Sequence, residues 1–433
     1  MTHESPRVAD LERLLQVARR LGATVDLDVL LRAIADAATD LLGCERATVY
    51  LYDAAADELR SRIATGIAGS PISEIRFPAS LGIAGEVART GLLVNLPDAY
   101  ADPRFNPEFD RSSGFRTRSM LAVRLADHDD ATVGVLQLLN KRLGAFEGRD
   151  EEIAVFLASQ AGVAIQRQRL LDHFAEKQKL QRDLNIARDI QQGLLPREQP
   201  VLAGFDIAGW NQPAEETGGD FFDFLPLDED RLFVALADAT GHGIGPALVM
   251  AEARALVRAA VRRSADLAEA VADVHDLLCL DLPDGRFVTA FSGVVSSRAA
   301  TLEFVSAGQG PILVYDSSAD AVRDFPAQTL PLGFIPGPLS AEPTRIELDE
   351  GDIVVLLTDG FYEWSRSDGE AFGIDRVVQL VREHRGLPAA DLIALLRAAV
   401  VEFSRGTRQD DDLTAVVVRR TGPVVQCRPV GLG

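Results

Sequence analysis

Apolar residues recur at three- and four-residue spacing over residues 11–21 (Leu11, Leu14, Leu15) and 26–42 (Leu27, Leu30, Leu31, Ile34, Ala38, Leu41), which predicts two amphipathic helices. Apolar runs then predict strands over 47–52, 58–65, 119–125 and 132–140, around a loop-rich middle marked by Pro97, Pro103 and Pro107. A helix over about 150–165 closes this block. Helices flanking a strand-rich centre predict an α+β sensor-like domain.

From Ala164 the chain holds no proline, and no glycine before Gly193, until Pro196. Leu170, Phe174, Leu180, Leu184, Ala187 and Leu194 recur there at helical spacing, predicting one long helix with a single apolar stripe. Lys177 and Gln181 interrupt a strict heptad, so an imperfect coiled coil and a helix packed on a neighbouring domain both fit. Pro196 and Pro200 mark a boundary.

Beyond it, strand patterns stand at 205–211, 220–226, 231–237, 287–296, 301–306, 311–315, 353–358 and 414–419. Helical patterns stand at 246–264, 267–280, 374–384 and 388–403. Paired helices between groups of strands predict sheets covered by helices on the outside, not a doubly wound parallel sheet. The expected organisation is a sensor domain over 22–167, a helical, coiled-coil-like linker over 168–196 and a second domain over 197–420. The tail after Arg420 reads as loose.

The 433 residues suffice for two or three cores, and 47% apolar with 25% charged residues is ordinary globular composition. A net charge of −21 argues against nucleic acid or an anionic membrane as partner. Cys44, Cys279 and Cys427 lie far apart without metal-ligand spacing, which fits a reducing, cytoplasmic setting. No apolar stretch approaches the ~20 residues of a membrane span, and residues 1–10 lack the apolar segment of a signal peptide.

Four aspartates carry the candidate chemistry. Asp220 follows Gly218-Gly219, Asp238 ends the apolar run Leu232–Ala237, Asp359 follows Ile353–Thr358, and Asp411 precedes Leu413-Thr414. Each is expected at a strand end. A carboxylate at the mouth of a buried strand is costly unless a cation or donor compensates it. Any one alone also reads as a turn or cap aspartate. Together they form a set of hard oxygen ligands suited to Mg²⁺ or Mn²⁺, two of which can activate water against a phosphoryl group.

Residues from about Ile186 to Arg419 resemble the metal-dependent protein phosphatase (PPM) family, in its bacterial SpoIIE/RsbU-like branch. The resemblance rests on Ile186-Ala187-Arg188-Asp189-Ile190-Gln191 with Leu194-Leu195-Pro196, the Gly-Gly-Asp segment, and Ala237-Asp238-Ala239-Thr240-Gly241-His242-Gly243. It continues through Ala307-Gly308-Gln309-Gly310-Pro311, Leu330-Pro331-Leu332-Gly333, Thr358-Asp359-Gly360 and Asp411-Asp412-Leu413-Thr414. The family implies an α-β-β-α sandwich. It implies two Mn²⁺ or Mg²⁺ ions, bridged by Asp238, bound by the Ala239 carbonyl, and completed by Asp359 and Asp411, with Asp220 contributing through metal-bound water. Asp223, Asp412 and His242 are candidates for supporting positions, and Asp223 and Asp412 also read as exposed acidic turn residues. The eukaryotic branch carries a histidine two positions after its aspartate; His242 lies four after Asp238, so no proton-donor role carries over directly. Gly241, Gly243 and Gly245 precede no Lys-Ser/Thr, which disfavours Walker-type nucleotide binding. No arginine clamp for phosphate is apparent. The branch implies a phosphoserine or phosphothreonine protein substrate, commonly a STAS-type anti-sigma-factor antagonist.

Residues 22–167 resemble a GAF domain. Asn140-Lys141, Phe146 and Asp150-Glu151 match the motif of cyclic-nucleotide-binding GAF domains, and the segments 98–106 and 114–119 extend the likeness. The resemblance implies a pocket for cAMP or cGMP; Lys141 and Asp150 also read as an ion pair locking strand to helix. The expected protein is a signalling phosphatase, a homodimer through its GAF and linker helices. Alternatives are a non-catalytic phosphoprotein-binding scaffold and a nucleotide sensor whose output is dimerisation.

Overall fold

The computed structural model describes residues 6–24, 26–61, 75–241, 243–283 and 285–422. The chain divides into two compact units, Met1–Lys179 and Leu180–Gly433.

In the first unit α1 (Pro6–Ala23) and α2 (Leu27–Leu42) precede β1 (Cys44–Asp53), β2 (Glu58–Ser61) and β3 (Ile75–Pro78). There follow α3 (Gly82–Thr90), β4 (Val94–Leu96), α4 (Glu108–Ser113), β5 (Met120–Ala126), β6 (Thr132–Lys141) and the start of α5 (Gly148–Leu194). The six strands form one antiparallel sheet in the order β3-β2-β1-β6-β5-β4. Asp26 caps α2 by accepting from the Val29 amide, and Gly43 ends the helix in the left-handed region. Between these caps Leu30, Leu31, Ile34, Ala35 and Ala38 form a buried stripe. It packs with Ala154, Leu157, Ala161 and Ile165 of α5 against Leu136 and Leu138 of β6. The alternate β6 residues, Val135 and Leu139, pack with α3.

The stretch expected to be loop-rich contains β3, α3, β4 and α4. None of these elements exceeds 9 residues, too few repeats for a period to register. The strand expected over 58–65 matches β2 as far as Ser61; residues 62–65 lie outside the described residues, as do Cys427 and the tail from residue 423. The helices expected over 150–165 and 164–195 are one helix of 47 residues.

The second unit contains β7 (Phe205–Gln212), β8 (Asp220–Pro226), β9 (Arg231–Ala239), α6 (Ile244–Arg263), α7 (Leu267–Asp281), β10 (Val288–Ser296), β11 (Thr301–Ala307) and β12 (Ile312–Asp316). It continues with β13 (Ala321–Phe325), β14 (Thr344–Glu347), β15 (Ile353–Leu357), α8 (Gly360–Glu363), α9 (Ile374–Glu383), α10 (Ala389–Phe403) and β16 (Leu413–Arg420). Two antiparallel five-stranded sheets result, ordered β14-β11-β10-β9-β8 and β13-β12-β15-β16-β7. Strand periodicity explains the layering. Val354 and Leu356 join the core that also holds Phe221, Phe233 and Phe291, whereas Ile353, Val355 and Leu357 pack with Val377, Leu392 and Leu396 of α9 and α10. Helices α6 and α7 lie against the first sheet and α9 and α10 against the second, giving an α-β-β-α sandwich. The edge strands β13 and β14 escaped the sequence reading because most of their side chains face solvent.

Candidate active site

Strand register gathers the acidic residues. Pairing of β8 with β9 sets Asp220 directly opposite Asp238, and pairing of β9 with β10 sets Thr289 on the other side of Asp238. In the second sheet Asp359 follows the end of β15 and Asp411 precedes β16, two strands that pair along their length. The Thr358 amide donates to the Thr414 carbonyl at 3.0 Å, closing the ladder beyond Leu357.

Asp220 links the two sheets. Its Oδ2 accepts from Thr358 Oγ1 at 2.8 Å and from Thr414 Oγ1 at 2.5 Å, and its side chain is buried. Asp412 is buried too: its oxygens accept from the amides of Ala214 (2.8 Å) and Asp220 (3.3 Å). The neighbouring glycines make room for these groups. A Cβ on Gly218 would lie 2.0 Å from Asp412 Oδ2, and one on Gly219 would lie 2.4 Å from the Ala239 carbonyl oxygen.

Carboxylates this close suppress one another's ionisation. Burial pushes Asp238 up to about 7, helped by the charges of Asp359, Asp411 and Asp412. Burial pushes Asp359 up to about 6, with Asp411 and Glu363 adding to it. Asp220 is raised well above the usual carboxylate range by burial, then by Asp238 and Asp412. Among the described residues no lysine or arginine forms an ion pair with Asp220, Asp238, Asp359 or Asp411. A buried anionic cluster without a cationic partner, supplemented by the Ala239 carbonyl, is a donor set that fits hard divalent cations. Among the described residues no three of these carboxylates bring oxygens within 4.8 Å of one another, so the cluster is wider than a single-ion cage. Asp127, His128 and Asp129 meet that spacing, on a largely exposed turn.

Two expectations change. Asp223 is no exposed turn residue: it is 1% exposed and held between Arg254 (3.2 Å) and Arg258 (2.5 Å), bracing β8 against α6. Asp412 likewise is a buried acceptor for backbone amides and not a surface turn residue. His242 lies outside the described residues.

Several contacts here were not legible in the sequence, although most of the residues that make them stand in the quoted motifs. Besides Thr358 and Thr414, the Gln309 side chain accepts from Thr289 Oγ1 (3.0 Å) and donates to the Leu357 carbonyl (2.9 Å), joining the two sheets behind Asp238. The buried Gln191, near the end of α5, donates to the Gly218 carbonyl at 2.5 Å and accepts from the Gly218 amide at 3.1 Å. Arg286 donates to the Thr240 carbonyl at 3.0 Å, beside the loop that leaves Asp238. Thr358 and Thr414 stand within the Thr-Asp-Gly and Asp-Asp-Leu-Thr motifs, but nothing in the sequence tied either hydroxyl to Asp220.

In the first unit, the Asn140-Lys141…Glu151 motif is engaged within the fold. Lys141 Nζ meets Asp150 Oδ1 at 2.6 Å, joining β6 to α5. Asn140 donates to Glu45 (2.8 Å) and the Arg116 carbonyl (2.9 Å) and accepts from the Arg118 amide (2.6 Å). Asn95 Nδ2 donates to the Phe146 carbonyl (3.0 Å) and to Glu151 (2.7 Å).

Known proteins share these two architectures. Residues 228–421 match the family described as Stage II sporulation protein E (SpoIIE), and residues 26–165 match the GAF domain family. Phosphoserine phosphatase RsbU of Bacillus subtilis (strain 168) is 24% identical over 244 residues, covering 56% of this chain and 72% of RsbU. A probable 3',5'-cyclic phosphodiesterase, pde-5, of Caenorhabditis elegans is 32% identical over 169 residues, covering 37% of this chain but only 23% of that protein's length. Among solved structures, the SiaA-PP2C domain of Pseudomonas aeruginosa superposes with a TM-score of 0.50 at 25% identity, covering 57% of this chain and 98% of that domain.

Proposed function

We propose, for a chain that joins a GAF domain to a protein phosphatase domain of the SpoIIE/RsbU-like PPM type, that it removes phosphate from phosphoserine or phosphothreonine on a signalling protein. The observation that carries this reading is the convergence of Asp220, Asp238, Asp359 and Asp411 at the ends of β8, β9, β15 and β16, where among the described residues no lysine or arginine pairs with them. Asp238, Asp359, Asp411 and the Ala239 carbonyl are the groups that would hold two Mg²⁺ or Mn²⁺ ions, with Asp220 reaching them through water. Such ions supply Lewis acidity and a hydroxide at neutral pH.

The chain's own residues orient and tune these ligands. Thr358 and Thr414 fix Asp220 in one rotamer by two hydrogen bonds. Gln309 and Thr289 hold the β10 side of Asp238. Mutual repulsion keeps the acids poised for a cation, because an entering dication relieves burial and like-charge cost together.

The substrate to test first is a phosphorylated STAS-type anti-sigma-factor antagonist, by likeness to RsbU. The effector to test first at the GAF domain is cAMP or cGMP, by likeness to the phosphodiesterase. Leu170, Phe174 and Leu180 of α5, each more than half exposed, support a homodimer through this helix. The Gln191 clamp on Gly218 supports transmission from α5 to the acidic cluster. The deciding experiment is Mn²⁺-dependent phosphate release from the phosphoprotein, with and without chelator. Metal binding without turnover would favour the scaffold reading.

A further inference from the structure

Exposed apolar side chains gather as a rim on α6, α7 and the loop after β13, beside the loop that leaves Asp238. Ile244 and Leu248, one turn apart at the start of α6, are 47% and 68% exposed. Leu280, near the end of α7, is 80% exposed, and Phe334 and Ile335 in the loop after β13 are 45% and 54% exposed. These positions belong together. The two helices run side by side, with Glu252 of α6 near Asp281 of α7. The Gly333 amide donates to His275 of α7, and the Phe334 ring meets Phe287 edge-on at 5.2 Å. Phe287 in turn continues the β9–β10 ladder, since its carbonyl accepts from the Thr240 amide two residues past Asp238.

A cation sits within this rim. Arg286 reaches the Thr240 carbonyl, and its guanidinium lies 3.4 Å from where a Cβ on Gly245 would stand. Among the described residues it makes no ion pair, in a chain whose net charge is −21. A contiguous apolar surface of this kind marks a macromolecular contact. A second copy seated here would cover the approach to the acids; an incoming phosphoprotein uses that approach, and its phosphate complements Arg286.

The geometry points to this rim as the docking surface for the protein substrate: Ile244, Leu248, Leu280, Phe334 and Ile335 take an apolar patch beside the phosphorylated residue, and Arg286 attracts its phosphate. The inference rests on the phosphatase reading above but is testable apart from it. Leu248→Asp, Leu280→Asp and Ile335→Asp are compared with wild type and with Val201→Asp, an exposed apolar position outside the rim. Two quantities are measured: the Kd for a serine-phosphorylated STAS-domain protein in the presence of chelator, and the ratio of kcat/KM on that protein to kcat/KM on p-nitrophenyl phosphate. Each rim variant is expected to weaken the Kd and lower the ratio by at least ~10-fold, as central interface residues do, with Val201→Asp unchanged. A Kd within twofold of wild type in all three variants, or no measurable binding by wild type, overturns the docking surface even if both substrates are hydrolysed. A halved solution mass by light scattering overturns it in favour of an interface between copies. Weakened binding by a protein that hydrolyses neither substrate leaves docking standing and removes the catalytic reading instead.

Discussion

Asp220 and Asp238 face each other as directly opposed residues of the β8–β9 ladder, with Asp220 further held by hydroxyls of the opposite sheet. Two carboxylates in such positions repel unless something positive joins them.

Replacing Asp238 or Asp359 by Asn removes a carboxylate from the cluster and relieves that repulsion. Turnover of p-nitrophenyl phosphate with Mn²⁺ should fall by more than ~100-fold, beyond the range for residues that merely orient ligands. The cation-free melting temperature should rise, or at least hold. A variant that melts far below wild type would mean these side chains serve the fold instead.

The pH dependence of stability follows from the same cluster. Asp238 is pushed to about 7 and Asp359 to about 6 from an ordinary 3.8, so the folded protein binds protons more tightly than the unfolded chain between those values. Without divalent cation, stability should fall as pH rises from about 4 to about 7 and level off above, and saturating Mg²⁺ should flatten the curve. Urea melts across this range, with and without Mg²⁺, measure it; a cation-free rise in stability toward neutral pH would contradict the assignment.

Thr414→Val keeps the shape of the side chain and deletes one donor to Asp220. Metal affinity or kcat should drop about 10–100-fold, the usual effect of losing a group that orients a ligand. Calorimetric titration with Mn²⁺ reads the affinity directly.

Asp223→Ala tests a different role. It leaves Arg254 and Arg258 without their buried partner and should cost about 3–5 kcal/mol of stability. Mn²⁺ affinity of the fraction that remains folded should stay near wild type. Loss of metal binding in a stably folded variant would place Asp223 in the site after all.

Gln191→Ala removes both hydrogen bonds to Gly218 and exposes a buried amide and carbonyl to loss of about 1–3 kcal/mol. If α5 governs the acidic cluster, this variant should lose the response of kcat to cAMP or cGMP added at saturation. An unaltered response would break that link.

The sequence made the four aspartates legible because each borders an apolar run long enough to read as a strand, and their motifs supply the order. The sandwich followed from the same runs and from the paired helices. The companions of Asp223 did not follow: Arg254 and Arg258 lie on a helix, and strand pattern and helix pattern say nothing of which charged faces meet. Gln191 stands in the segment that carries the resemblance, but its contact did not follow, because its partner Gly218 is 27 residues away across a boundary of prolines. β13 and β14 were missed because an edge strand needs little apolar content to pair.

The strand that Asp411 precedes is the last among the described residues, yet it lies inside its sheet, between β15 and β7. A nascent chain in which β16 has yet to emerge therefore lacks an interior rib, not a border. Until β16 emerges, β7 and β15 have no common neighbour, and Asp220 lacks the Thr414 hydroxyl. The acidic cluster is therefore complete only once β16 has taken its interior place.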